Sequence, residues 1–392
     1  MAIFRLLAAS APAPRLSVLT YNVFCGPPTP TPLAGTLDGS ARLAGQISKL
    51  RELAPDVICL QEVVSDGVRE RYAHALSDMY DASFVLTADE FRCRAGRMMR
   101  LALDHVGPQT TIGGFLLGSV QSGLVILHKR ATLERDGLAT AFPFEDQAGD
   151  LLNRFRPRGA LAVPLRLRGD GSRLLVVNTH ANAESGDQLF DLSRLLSGAG
   201  ISSIPSTSVH RKTQLQQLFL EASRLAEARG ARALLCGDLN SSPELGEWAP
   251  LASRFGFVDA WRPSGGPGHS WDGARAYCRD AAECGRGTRN PLVREGWLSP
   301  GDGAATRLDY IFCGEASRLT PLESRLALDE PEQGHWLSDH FGVMTTFEAA
   351  PFAAREGRPA PLGCPATGRS PAATGQRLAG QRSLLEDTPF SA

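Results

Sequence analysis

Short apolar runs that finish on a polar side chain recur along this chain, and they restrict it to folds in which strand ends meet. LSVLTYN ends at Asn22, DVICLQE at Glu62, RLLVVNTH at Asn178 and His180, and RALLCGDLN at Asp238 and Asn240. RLDYIF carries Asp309 at its start, and LSDHFGV carries Asp339 and His340 just ahead of its run. Several runs are continuously apolar instead of alternating, which is the mark of strands covered on both faces. The predicted strands span residues 16–23, 57–61, 123–128, 160–167, 174–179, 233–236, 308–313 and 341–347. Helical periodicity lies between them. Residues 40–53 put Leu43, Ile47, Leu50 and Leu53 on one face, with Ser40 as cap and Pro55 as stop, and 209–229 carry a stripe of Leu215, Leu218, Ala222 and Leu225. Strands packed between helix layers, or between helices and a second sheet, satisfy this pattern, so the fold class is α/β.

Charge excludes some partners. Lys+Arg 41 against Asp+Glu 42 is nearly neutral, unlike a chain held to nucleic acid by clustered cations. No apolar run approaches the roughly 20 residues of a spanning helix, so no transmembrane anchor is expected. One catalytic domain is expected over residues 15–349, without a linker or repeat. Residues 1–14 are Ala/Pro-rich, and residues 350–392 are dominated by Pro, Gly, Ala and Arg. Such ends bury too little surface to offset their ordering entropy and are expected to be flexible. MAIFRLLAASAPAP is interrupted by Arg5 and makes a poor secretory signal. A cytoplasmic or peripheral-membrane location is therefore favoured, with secretion left open. The eight cysteines form no CxxC pair. Cys25, Cys59, Cys236 and Cys313 read as small hydrophobes in or beside strands, and Cys278 and Cys284 as two loop thiols or an oxidised pair.

Each polar strand end has a plainer explanation on its own. Asn and Asp are common turn formers, Glu62 and His180 suit solvated strand ends, and Asp309 suits a strand-edge charge. Six such ends in one chain exceed what turns account for. Asn240-Ser241-Ser242 also spells a glycosylation acceptor, which is incompatible with Asn240 in an active site and reads as accidental. His210, His269 and His335 lack a partner pattern and read as surface or loop histidines. The segment IGGFLLGSV at 112–120 reads as a buried strand between glycine turns, or as a membrane-dipping loop.

TYN, LQE, NTH, GDLN, RLDY and SDHFG together resemble the motif set of the endonuclease/exonuclease/phosphatase superfamily, over about residues 16–348. The resemblance implies a DNase-like four-layered α/β-sandwich, two packed mixed β-sheets flanked by helices, and metal-dependent phosphoester hydrolysis. Within that superfamily SGLVILHKR, FPF, RPRGALAV, NTHANAES, GFVDAW, GHSWDGARAYC, RNPL, RLDYIF and SDHFGV are similar to neutral sphingomyelinases, with Asn182 where Gln is usual. This implies a monomeric phosphodiesterase that cleaves sphingomyelin to ceramide and phosphocholine at a membrane surface, with no stable nucleic-acid partner. A nuclease of AP-endonuclease or deoxyribonuclease type, an inositol-phosphate phosphatase and a catalytically inert binding protein are the alternatives. Trp271 and Trp336 are either packing residues or a face for a choline ammonium.

The same resemblance assigns roles. Glu62 is the direct metal ligand, Asn22 touches the ion or a non-bridging phosphate oxygen, and Asp339 adds a ligand directly or through water. Asp238 and Asn240 position the attacking water and the phosphorus, and His180 stabilises the transition state. His340, oriented by Asp309, is the base or a phosphate contact, and either Asp238 or His340 takes the proton. The implied cofactor is Mg²⁺, a hard ion that prefers carboxylate oxygens and keeps several waters, with Mn²⁺ or Co²⁺ as substitutes.

Overall fold

The apolar runs become the central strands of two sheets in a computed structural model, which describes residues 14–24, 39–63, 66–84, 123–146, 158–182, 207–262, 266–272, 305–332 and 336–351. The chain divides into two units, Met1–Gly357 and Arg358–Ala392, and all described residues belong to the first. The first elements are β1 (Arg15–Asn22), α1 (Gly39–Leu53), β2 (Val57–Gln61), α2 (Asp66–Ala75), β3 (Tyr80–Phe84) and β4 (Val125–Lys129). Then follow β5 (Leu133–Arg135), β6 (Thr140–Pro143), β7 (Gly159–Leu167), β8 (Arg173–His180), α3 (Thr207–Arg229) and β9 (Arg232–Asp238). The last are α4 (Ala249–Arg254), β10 (Phe257–Asp259), β11 (Asp309–Gly314), β12 (Leu319–Ala327) and β13 (Gly342–Ala349).

One sheet has the order β12-β13-β1-β2-β4-β3; the other runs β10-β11-β9-β8-β7-β5, with β6 also on β7. Each is built around a βαβ unit. β1 and β2 are parallel with α1 between them, and β8 and β9 are parallel with α3 between them; the other pairings are antiparallel. Parallel neighbours present the same end of the chain on the same edge, so both units deliver their C-terminal residues to one side.

The sheets pack face to face. Leu16, Val18, Val57, Cys59 and Ile126 of the first meet Leu161, Val163, Leu174, Val176, Leu234, Cys236 and Ile311 of the second. The alternate residues point outward. Leu19, Tyr21, Ile58 and Leu60 lie against Leu43 and Leu50 of α1, Tyr72 of α2 and Leu76 in the turn after it. Leu175, Val177, Leu235, Tyr310 and Phe312 lie against Leu215, Leu218, Phe219 and Ala222 of α3. The result is a DNase-like α/β-sandwich of two packed mixed sheets between helices, and it explains why the runs are apolar at every position.

Cys59, Cys236 and Cys313 are free and buried, as small hydrophobes should be. Among the described residues no helix is long and apolar enough to cross a membrane. The expectations for residues 1–13 and 352–392, segment 112–120, Ser40, Cys25, Cys278, Cys284 and His335 lie outside the described residues or side chains.

Candidate active site

Register brings the strand ends together. Asn22 pairs with Gln61 across β1 and β2, His180 with Asp238 across β8 and β9, and Asp309 with Asp238 across β11 and β9. β1 packs across the sandwich on β9 and β11, and β2 on β8 and β9. Asn22 therefore faces Asp238, and Glu62 faces His180.

Asp238 is the centre. Its Oδ2 accepts from Asn22 Nδ2 at 3.0 Å, and lies 3.5 Å from His180 Nε2 and 3.8 Å from His340 Nε2. Its Oδ1 accepts the Asn240 amide at 2.8 Å. His180 Nε2 also lies 3.9 Å from Glu62 Oε1. His340 Nδ1 meets Asp309 Oδ2 at 2.8 Å. Asp238 is 1% exposed and Asp309 fully buried, whereas the Glu62 side chain keeps 15% of its surface. Local backbone explains how two of these residues are aimed. Glu62 and Asn240 have left-handed φ of 61° and 49°, a region sparsely populated for Glu and held there by its surroundings, and one that Asn tolerates. Gly123 packs against Glu62 so closely that a Cβ there would stand 3.0 Å from Glu62 Cα. At Gly237, beside Asp238, a Cβ would collide with the Thr179 carbonyl.

The site titrates unusually. Burial, and then the Asp309 carboxylate, push Asp238 up to about 7 despite the opposing pull of His340 and the amides of Asn22 and Asn240. Burial also lifts Asp339 to about 6; His340 opposes this and Glu62 adds to it. Burial alone would lower His340, but Asp309 and Asp238 outweigh it and hold the imidazole well above its ordinary value.

All eight sequence-predicted residues lie in this one region. Asn240 Nδ2 donates to Ala181 O at 3.1 Å, so the carboxamide of the formal glycosylation acceptor is already engaged. Asn22 is turned so that its amide nitrogen serves Asp238 while Oδ1 accepts Phe24 N at 3.1 Å, which makes it first of all a donor. Trp336 is buried against Phe341, a packing role, while Trp271 is partly exposed and bridges His340 through its backbone. His210 differs from expectation. It is a helix residue, and its Nδ1 lies 2.8 Å from Asp146 Oδ2, a partner 64 positions away that no local pattern reveals.

Ser338, Ser270 and Gln61 are not singled out by the sequence, whereas Asn178 reads there as a strand end. Ser338 Oγ donates to Asn22 O at 2.7 Å and accepts the His340 amide at 3.1 Å. Ser270 Oγ accepts the Leu308 and Asp309 amides, each at 3.0 Å. Both serines sit inside the motif strings SDHFG and GHSWD. Gln61 Nε2 donates to Asn178 Oδ1 at 2.7 Å, and Asn178 Nδ2 reaches Leu60 O and Val125 O, so an amide pair ties the two sheets together beneath the site.

The sequence profile of the Endonuclease/Exonuclease/phosphatase family matches residues 19–340. The chain belongs to this family. Its members are phosphoester hydrolases. Among solved structures, the human nocturnin catalytic domain with bound sulfate anion is 15% identical and has a TM-score of 0.54, covering 86% of this chain and 96% of that one. A family protein from Bacteroides thetaiotaomicron is 12% identical with a TM-score of 0.54, covering 86% and 98%. Truncated TDP2 from Caenorhabditis elegans is 16% identical with a TM-score of 0.52, again covering 86% and 98%. At such identities the likeness is one of fold. No curated protein sequence matches significantly.

Enzymes of this family use divalent metal ions, and the donor chemistry here fits one. Four carboxylates, Glu62, Asp238, Asp309 and Asp339, gather in one region; Asp238 and Asp339 are raised first by burial and further by Asp309 and Glu62 respectively, and a hard cation would offset that repulsion. Among the described residues the tightest donor group is Asp238, Asp309 and His340, with ligand atoms within 4.8 Å of one another. Asp309 and His340 are bonded to each other, however, which leaves Glu62, Asp238 and Asp339 as the carboxylates outside that dyad.

Proposed function

We propose that this protein is a Mg²⁺-dependent phosphodiesterase whose substrate is sphingomyelin, cleaved to ceramide and phosphocholine. The observation that carries the chemistry is Asp238, whose single Oδ2 is approached by Asn22, His180 and His340 from three different strand ends. Glu62 and Asp339, with Asn22 beside them, would hold the ion. When bound, Mg²⁺ supplies charge neutralisation at the phosphoryl oxygens and at the departing oxygen.

The chain's own residues divide the remaining work. Asp238, with a pKa near 7, is poised to take a proton from water at neutral pH. His340 is held cationic by Asp309 and Asp238 and so suits stabilisation of the phosphorane and protonation of the leaving alkoxide better than proton abstraction. His180 Nε2 faces the same region and would orient the equatorial oxygens, while Asn240, its carboxamide held on Ala181 O, positions Asp238 through its backbone amide. Water oxygen bonds to phosphorus, the bond from phosphorus to the ceramide oxygen breaks, Asp238 gains the water proton, and the alkoxide leaves as an alcohol. Trp271, partly exposed beside His340, is the candidate face for the choline ammonium.

The substrate assignment is supported by the sphingomyelinase-like order of GHSWD, RLDYIF and SDHFGV, and by the near-zero net charge. A nucleic-acid diester is the second reading, favoured by the fold likeness to D. rerio TDP2 complexed with single strand DNA product, 17% identical with a TM-score of 0.50. Phosphocholine release from sphingomyelin vesicles, measured with Mg²⁺ and with chelator beside single-stranded DNA and inositol phosphates, tests the assignment. Mg²⁺-dependent phosphocholine release is expected. Cleavage of DNA or inositol phosphates with sphingomyelin untouched would overturn the substrate and keep the chemistry.

A further inference from the structure

Behind the loop that carries Asn240 lies a buried ion pair that the chemistry above does not use. Arg211, on α3, donates from Nε to Glu247 Oε2 at 2.6 Å and from Nη2 to Oε1 at 3.0 Å. Both side chains are sealed from solvent, at 0% and 1% exposure. Ser208 Oγ donates to Glu247 Oε1 at 2.6 Å and Ser241 Oγ to Oε2 at 2.7 Å. Taking two charges out of water is costly before they pair, and apolar packing of equal volume serves stability as well. A pair kept in such a place suits fixing a geometry.

The geometry it touches is Asn240. That residue holds a left-handed backbone at φ 49°, a region Asn tolerates better than most side chains, and its place there is set by the bonds on either side. Its successor Ser241 is gripped on both sides: Glu247 takes the hydroxyl, and Tyr310 Oη donates to the Ser241 carbonyl at 2.7 Å. On the other side the Asn240 amide is fixed to Asp238 Oδ1. Movement of Ser241 would turn the Asn240 carboxamide and loosen the bond that aims Asp238.

We propose that Glu247, locked by Arg211, is a positioning residue that acts through Ser241 to set Asn240 and Asp238. The proposal rests on the roles given to Asn240 and Asp238 above.

The test compares two serines that make similar bonds to the same carboxylate. Full-length Ser241→Ala and Ser208→Ala are measured for Mg²⁺-supported hydrolysis of bis(p-nitrophenyl) phosphate and for hydrogen exchange at the Asn240 amide. Ser241→Ala should lower kcat by about 10- to 100-fold with KM little changed, the scale of a misplaced catalytic group, and should speed exchange at Asn240. Ser208→Ala should stay near wild type in both, with a comparable loss of Tm. Equal behaviour of the two serines in both readouts, or wild-type exchange and kcat in Ser241→Ala, would overturn the proposal. Glu247→Gln, which keeps the shape, should reproduce the Ser241→Ala exchange effect if it folds. Absent diester hydrolysis in the wild type, together with faster exchange in Ser241→Ala, would remove the proposed function and leave the clamp standing.

Discussion

The two βαβ units occupy equivalent places in their sheets yet equip the cleft differently. The β1–α1–β2 unit ends in Asn22 and Glu62, and its carboxylate stays partly open to solvent on a left-handed residue backed by Gly123. The β8–α3–β9 unit ends in His180, Asp238 and Asn240, with Asp238 buried, bonded through both oxygens and braced from behind by Arg211 and Glu247. On the proposed mechanism the difference separates two tasks. An ion exchanging with solvent needs an accessible carboxylate, whereas a proton-transfer group needs a fixed position and a pKa shifted by its surroundings.

If that division is right, mutations on the two sides should differ in kind. Glu62→Gln should abolish metal-supported turnover while Tm barely moves, because the side chain is a partly exposed strand-end group; wild-type turnover would remove it from the mechanism. His340→Ala should lower kcat by roughly 10²–10⁴-fold, the usual worth of a positioned acid–base group, and should also change the pH dependence of stability.

Asp238 on the second side, with Asp339 and His340 just ahead of β13, should make stability depend on pH near neutrality. Asp238 has a raised pKa in the folded state, so the native protein binds an extra proton between the ordinary carboxylate range and about 7, and its stability falls as pH rises through that interval. His340 acts in the same direction: its stabilisation is full below its unfolded pKa and is lost as pH rises through its elevated folded value. Metal-free protein should therefore melt at lower temperature as pH is raised from about 5 to about 8, and Asp238→Asn should flatten the curve. A flat wild-type curve would contradict these shifts.

Between the units, Asn178→Ala should cost about 3 kcal/mol in urea unfolding, because it takes the amide donor from the Leu60 and Val125 carbonyls at about 1–3 kcal/mol per buried group, while Gln61 Nε2 keeps Thr20 Oγ1 and Cys59 O. Far from both, Arg51→Ala breaks an exposed pair with Asp78 and should leave Tm within error.

The same contrast governs how much could be read from the sequence. Central strands were legible because covering both faces forces continuous apolar runs, and the strand ends were legible because parallel neighbours deliver their polar terminal residues to one edge. β12 was missed. It lies at a sheet edge, carries Pro321, Glu323 and Arg325, and shifts register between Pro321 and Glu323, so it has neither an apolar run nor clean alternation. α2 was missed because DGVRERYAHA is largely polar and buries little beyond Tyr72. Arg211 and Glu247 were missed for another reason: one sits in a helix and the other in a turn, and only tertiary packing makes them partners. Local chemistry shows in a sequence, whereas bracing from behind does not.

The convergence of strand ends into one metal-supported hydrolytic cleft is tested most directly by following bis(p-nitrophenyl) phosphate hydrolysis while Mg²⁺ is removed and restored. The expected result is activity that vanishes in chelator, returns with Mg²⁺, and never appears in Glu62→Gln. Hydrolysis that persists unchanged in chelator, in wild type and Glu62→Gln alike, would contradict it.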